Sequence, residues 1–273
     1  MHTHTPTHTP AAAPPSDIPP PSPNSPSVVL WPDTFTDAYR PAVAQSWKSV
    51  LEAAGETVAV PTDWACCARP LYDSGMLDRA RKTLRHLLDV LDVYITNGIP
   101  VVVPEPSCLA AFRDELPQLL ADDPRAAKLA GLSRSPAEHL LAIDAAKHLP
   151  HTATPLKVLI HPHCHARAIH AVEADRRLLE ALGHEVSVLD AGCCGLAGSF
   201  GFSAAHEALS RTIGTEQWLP KLNAAAAATG PETAVVIDGF SCVMQYSHLA
   251  SPDSPVPTTL PDLLLAANPT LRT

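Results

Sequence analysis

Short β-branched runs alternate along the chain with longer stretches whose apolar residues recur every three or four positions. Val28-Val29-Leu30, Val58 with Val60, Val102-Val103, Val158-Leu159-Ile160, Val186 with Val188, and Val236-Ile237 read as strands. Residues 37–54, 76–96, 167–182 and 203–227 read as amphipathic helices, and Gly55, Gly98 and Gly183 sit where helices should stop. Residues 109–150 hold further helical material. Each half of the chain therefore reads strand, helix, strand, helix, strand. That alternation favours a parallel sheet with helices packed on its faces.

The same pattern occurs twice. Val28-Val29-Leu30-Trp31-Pro32-Asp33-Thr34 resembles Val158-Leu159-Ile160-His161-Pro162-His163-Cys164. Leu51-Glu52-Ala53-Ala54-Gly55, leading to Cys66-Cys67, resembles Leu179-Glu180-Ala181-Leu182-Gly183, leading to Cys193-Cys194. The strand ending in Ser107-Cys108 resembles the one ending in Ser241-Cys242. The offset is about 130 residues each time, in the same order, which marks an internal duplication. The expected fold class is α/β, with two homologous lobes, each a small parallel sheet flanked by helices. The expected division is a tail or linker at 1–27, a first lobe at 28–150 and a second at 151–273.

Residues 1–27 are rich in Pro, Thr, Ala and His. They bury too little apolar surface to offset the entropy of ordering them, so a disordered tail or linker is expected. His2, His4 and His8 read as part of that tail rather than as a metal trap. The stretch also lacks the basic start and apolar core of a secretion signal, which points to a cytoplasmic protein. A net charge of -9 argues against nucleic acid or an anionic membrane as partner. No apolar run is long enough to span a bilayer.

The seven cysteines change the picture most. Without a secretion signal they point to metal or redox chemistry, or to plain burial, rather than to a disulfide framework. In a parallel sheet, residues just past the carboxyl ends of the strands collect in one crevice. Cys164, Cys193, Cys194 and Cys242 each follow a strand of the second half. Four thiolates suit an iron–sulfur cluster or a structural zinc. The first half supplies only Cys66, Cys67 and Cys108, and Thr34 stands where Cys164 would match. Gly195-Leu196-Ala197-Gly198-Ser199-Phe200-Gly201 then leads into a helical stretch, whose amino terminus is expected to favour thiolates. A nucleotide loop is the rival reading, but the spacing is Gly-x-x-Gly-x-x-Gly rather than the dinucleotide fingerprint. His161, His163 and His165 flank Cys164 and are expected to support the site rather than ligate. Surface or hydrogen-bonding roles are expected for Glu105 and Asp238.

Gly192-Cys193-Cys194-Gly195-Leu196-Ala197-Gly198-Ser199-Phe200-Gly201, His163-Cys164-His165, Asp238-Gly239-Phe240-Ser241-Cys242 and Glu105-Pro106-Ser107-Cys108 together resemble the signature of the cysteine-rich CCG domain. Pro32-Asp33-Thr34-Phe35-Thr36 and Cys66-Cys67-Ala68-Arg69-Pro70-Leu71-Tyr72 fit the same pattern. The resemblance covers roughly residues 28–249. It extends to the carboxy-terminal part of FAD-linked oxidases with iron–sulfur domains, to D-lactate dehydrogenases and to the glycolate oxidase iron–sulfur subunit. The heterodisulfide reductase B subunit is a more distant relative.

That resemblance implies an electron-transfer module or subunit of a flavin-linked 2-hydroxy-acid oxidoreductase, with a [4Fe–4S] cluster on Cys164, Cys193, Cys194 and Cys242. Cys66, Cys67 and Cys108 are expected to form a second, weaker or vestigial cofactor site. The flavin, FAD, and an electron acceptor are expected on partner chains, because no flavin-binding domain and no ferredoxin-like cysteine run is present. The chain is then expected to be a separate subunit or the remnant of a split or truncated gene. Two departures stand out. Neither Cys108 nor Cys242 continues into Cys-x-x-Cys, and Ala68 replaces a glycine. The alternatives are a zinc-stabilised interaction module and a metal-free thiol enzyme using the vicinal pair.

Overall fold

The computed structural model describes residues 25–149, 151, 154–198 and 200–266. The tail expected at 1–27 therefore lies almost wholly outside the described residues. Within it, Ser27 is tied to the fold: its N–H donates to the Thr57 carbonyl (3.0 Å), and its hydroxyl accepts from the Thr57 N–H (2.9 Å).

The first lobe contains strands β1 (Val28–Leu30), β2 (Val58–Ala59), β3 (Val101–Val102) and β4 (Ser133–Arg134). Its helices are α1 (Thr34–Tyr39), α2 (Pro41–Ala53), α3 (Arg69–Asp73), α4 (Leu77–Thr96), α5 (Pro106–Ala110), α6 (Leu116–Leu119), α7 (Pro124–Leu132) and α8 (Pro136–Ala142). The second lobe contains β5 (Lys157–His161), β6 (Glu185–Val188), β7 (Ala234–Ile237) and β8 (Pro257–Thr258). Its helices are α9 (Cys164–Ala168), α10 (Val172–Ala181), α11 (Glu207–Thr212), α12 (Leu219–Thr229), α13 (Phe240–Leu249) and α14 (Leu260–Ala266).

Among the described residues these strands form two four-stranded sheets, ordered β2-β1-β3-β4 and β6-β5-β7-β8, with every pairing parallel. The expected duplicated α/β fold is thus present. The fourth strand of each sheet carries no periodic signal, because it is two residues long.

Alternation along the strands sends side chains to both faces of each sheet. Val28, Leu30 and Val102 from one sheet, with Val158, Ile160 and Val236 from the other, face one shared core. Helices α2, α8, α10 and α14 fill it through residues such as Leu51, Leu140, Leu178 and Leu264. Two further cores back the outer faces. Val29, Val101 and Val103 pack on α4 and α7 in the first lobe, and Leu159, Val235 and Ile237 pack on α12 and α13 in the second. The protein is therefore five layers deep, with a helical layer held in common by the two sheets.

Three expected helices are interrupted. Residues 37–54 break at Arg40, because Pro41 disfavours helical backbone in the residue before it. Residues 167–182 fall on α9 and α10, with His170 between them at φ +59°. Residues 203–227 begin as helix only at Glu207, and a π-helical turn at Ile213–Trp218 joins α11 to α12.

Candidate metal centre

Each half presents its chemistry just past the carboxyl ends of its central strands. After β5, His163 caps α9 by accepting the His165 N–H at Nδ1 (3.2 Å), and Cys164 is the first helical residue. After β1, Asp33 caps α1 in the same way through Phe35 and Thr36, and Thr34 takes the place of Cys164. Cys242 lies in the first turn of α13 and Cys108 in the first turn of α5. The vicinal pairs lie in the loops after β2 and β6.

All seven cysteines are free thiols. In the second lobe Cys193 neighbours Cys164 and Cys194 closely enough to shift their titration, and Cys194 in turn neighbours Cys242. The four side chains thus form one group of neighbours. Cys194 and Cys242 are buried, Cys193 is half-buried and Cys164 reaches solvent. In the first lobe the sulfurs of Cys67 and Cys108 are 2.9 Å apart, and Cys66 adjoins Cys67. Both expected groupings are brought together.

The titration of these thiols follows from their crowding. Hydrogen bonds from Cys164 and Cys194, with the N–H groups of Gly195 and Ala197, hold Cys193 far below the usual thiol range. Its neighbours move the other way. Cys164 is pushed up by its bond to Cys193 and then by burial, and Cys194 by its bonds to Cys193 and Cys242. Negative charge on Cys193 thus disfavours charge on its neighbours, first through hydrogen bonding, then through burial and last through like-charge repulsion. A bound cation reverses that logic and deprotonates all its ligands. Thiols gathered here beside backbone donors are the ligand type of an iron–sulfur cluster, whose ligand sulfurs stand farther apart than those of a single zinc ion. In the first lobe, burial pushes Cys108 up to about 11, and hydrogen bonding to Cys67, followed by burial, pushes Cys66 up as well.

The donors to Cys193 do not come from a helix amino terminus. Helix α11 starts at Glu207, and the loop itself supplies them: Gly195 N–H reaches Cys193 Sγ at 3.3 Å. Gly195 can do this because it sits at φ +106°, with the Ser210 carbonyl oxygen 2.3 Å from where a Cβ would be.

The histidines differ in role. Both His163 nitrogens are engaged, Nδ1 with the His165 N–H and Nε2 with Ser241 Oγ at 3.3 Å. The Trp218 indole donates to His161 Nδ1 at 3.1 Å and leaves Nε2 without a partner. His165 Nδ1 lies 3.8 Å from Cys164 Sγ. Burial, followed by neighbouring charges, holds His161 at about 3, His163 at about 4 and His165 at about 4. One donor atom each from His163, Cys164 and His165 also falls within 4.8 Å of the others.

Glu105 is not a surface residue; only 5% of it is exposed. It caps its own helix α5 through Ser107, and its Oε2 also accepts the Phe240 N–H of α13 from the other lobe at 2.8 Å. Asp238 accepts the Leu260 N–H at 3.3 Å. Two residues at the site carry roles that the sequence reading did not give them. Asp33 matches His163, and an Asp placed just before a helix start is a capping signal. Buried Arg69, ion-paired with Glu115, has no comparable signal in the sequence.

The family profile "Cysteine-rich domain" (CCG) matches residues 33–113 and 158–245. Over 190 residues the chain is 31% identical to the C subunit of anaerobic glycerol-3-phosphate dehydrogenase from Escherichia coli (strain K12), a match covering 66% of this chain and 46% of that protein. It is 29% identical over 187 residues to lactate utilization protein A of Exiguobacterium sp. (strain ATCC BAA-1283 / AT1b), covering 64% of this chain and 73% of that protein. A similar match is found to lactate utilization protein A of Bacillus thuringiensis (strain Al Hakam), 29% identical over 185 residues. The chain thus spans about half the length of the E. coli relative. With paired cysteines in both lobes and the profile matching twice, this chain belongs to the cysteine-rich CCG domain family.

Proposed function

We propose that the chain is an iron–sulfur electron-transfer module or subunit of a flavin-linked oxidoreductase acting on 2-hydroxy acids of the lactate or glycolate type. Cys164, Cys193, Cys194 and Cys242 hold a [4Fe–4S] cluster, and FAD belongs to a partner chain or domain. The gathering of four cysteines past the strand ends of the second lobe, each shifting its neighbour's titration, supports this reading. The names of the relatives, one part of a dehydrogenase and the other a lactate utilization protein, agree with it. A cluster supplies a one-electron redox centre. The chain's own part is to hold and tune it. The N–H groups of Gly195 and Ala197 stabilise negative charge on Cys193, buried Cys194 and Cys242 exclude water, and exposed Cys164 marks the edge nearest solvent. Cys66, Cys67 and Cys108 form a second, weaker or vestigial site. The module acts in the cytoplasm between its flavoprotein partner and an electron acceptor. Residues 1–27 serve as a linker, and the lobes divide at residues 150 and 151.

Anaerobic purification with iron and acid-labile sulfide analysis tests this. Iron and sulfide in equal amounts are expected, lost in Cys194→Ser and Cys242→Ser but largely kept in Cys108→Ser. Colourless protein with neither element defeats the proposal. The close approach of His163, Cys164 and His165 favours one second reading, a zinc-stabilised interaction module. One zinc per chain with no iron is its expected signature.

A further inference from the structure

His161 closes β5, is 2% exposed and shares a face of the sheet with Leu159, two residues before it. Leu159 belongs to the outer core of the second lobe, whose buried members include Cys194, Trp218 and Cys242. Burial keeps the His161 ring neutral, so it carries a single N–H. The Trp218 indole donates to Nδ1 at 3.1 Å. Nδ1 is therefore the acceptor, and the proton sits on Nε2. Nε2 is buried and has no partner among the described residues. His163 offers no comparable group, because both of its nitrogens are engaged.

The duplication supplies a control. Trp31 follows β1 where His161 closes β5, and its ring packs on Phe112 with centroids 4.9 Å apart. The lobe with three thiols thus fills this position with a large aromatic ring. The lobe with four thiols fills it with a smaller ring that has one N–H left over. Buried donors without acceptors are costly, and each calls for an explanation. Cys193 is the negative group that acts on this ring. An iron–sulfur cluster brings acceptors that the chain lacks, its own sulfides, and its potential responds to hydrogen bonds to sulfur.

We infer that His161 donates a hydrogen bond from Nε2 to the second-lobe cluster and makes it easier to reduce, with Trp218 as the positioning residue that holds the donating tautomer. Reduction adds one negative charge to the cluster, and a fixed donor stabilises that charge. The inference rests on the proposed function.

Two measurements on the full chain test it. Nitrogen-15 NMR of the metal-free protein, with the His161 ring assigned from its loss in His161→Gln, reads the tautomer. A proton on Nε2 is expected, with exchange toward Nδ1 in Trp218→Phe. A dithionite titration of the iron-loaded protein, followed by electron paramagnetic resonance, reads the reduction potential. His161→Leu is expected to lower the reduced-to-oxidised ratio at a fixed potential about ten-fold, the scale of one hydrogen bond to a charged group. That is a shift of about 59 mV to more negative potential for one electron. His161→Gln, whose amide offers an N–H near the place of Nε2, should recover most of the loss. Trp218→Phe should shift the potential the same way by less, and it carries the comparison should His161→Leu unfold. A proton on Nδ1 in the unsubstituted protein overturns the inference. So do equal shifts in His161→Leu and His161→Gln, which would mark a packing effect. An unchanged potential in His161→Leu, with iron and sulfide content intact, overturns this inference alone. Absence of iron and sulfide from the unsubstituted protein removes the proposed function and this inference with it.

Discussion

Ala68 and Gly195 follow the two vicinal cysteine pairs, and both adopt left-handed backbone, at φ +61° and +106°. Alanine strains there by about 1 kcal/mol, and glycine does not. Ala68→Gly is therefore expected to be neutral or to stabilise the protein by up to about 1 kcal/mol in urea unfolding. Gly195→Ala is expected to cost about 3 kcal/mol or more, because the new Cβ would lie 2.3 Å from a backbone oxygen. Equal effects of the two changes would refute the argument. Burial raises the Asp238 pKa to about 6, with Glu105 adding to the rise. The folded state then binds this proton more tightly than the unfolded chain. The resulting stability is complete below about pH 4 and is lost as the pH rises through about 6. Asp238→Asn, which keeps an acceptor for the Leu260 N–H, should raise stability at pH 7.5 by about 1–2 kcal/mol and give little gain at pH 4. Thermal melts at the two pH values measure this, and an equal gain at both would contradict it.

Helices α5 and α13 each carry a cysteine in their first turn, and one carboxylate caps both. Glu105 joins the lobes at the spot where the two sets of thiols are displayed. Glu105→Ala should cost about 2 kcal/mol and weaken metal retention in the second lobe, while Glu105→Gln should recover most of both. Comparing unfolding midpoints and bound metal for the two variants checks this; identical behaviour would show that the cap is idle. Glu105 also marks the limit of what the sequence makes legible. The long periodic elements can be read: the apolar stripe of α4 at Leu84, Leu87, Leu88, Leu91 and Ile95 leaves little choice of structure. The strand-end cysteines follow from the parallel sheet. The breaks at Arg40 and His170 and the π-helical turn before α12 cannot be read from periodicity alone. They depend on a single following proline, a left-handed residue and a one-residue excess that the apolar pattern hardly feels. The cross-lobe partner of Glu105 lies 135 residues away, beyond the reach of any local signal.

Across the whole molecule, the two lobes share their central layer. Helix α14 of the second lobe packs on α2 of the first, and α8 of the first packs on α10 of the second. The caps of the crossing helices are also related. Ser135 and Glu138 form a capping box at α8, and Thr259 and Asp262 are hydrogen-bonded at the start of α14. Asp262 further accepts from Ser46 of α2 at 2.8 Å. With one core common to both sheets, heat should melt the protein in one step. Calorimetry is expected to give equal calorimetric and van't Hoff enthalpies, and two resolved transitions would contradict that. The crossing of the last helices also bears on descent. A solitary repeat, made before the duplication, would have left the apolar flank of its second helix bare and its final helix without a seat. Two such polypeptides trading those helices would have cured both faults at once. The covalent link between today's halves is then a later convenience, preserving inside one chain a partnership that began between twins.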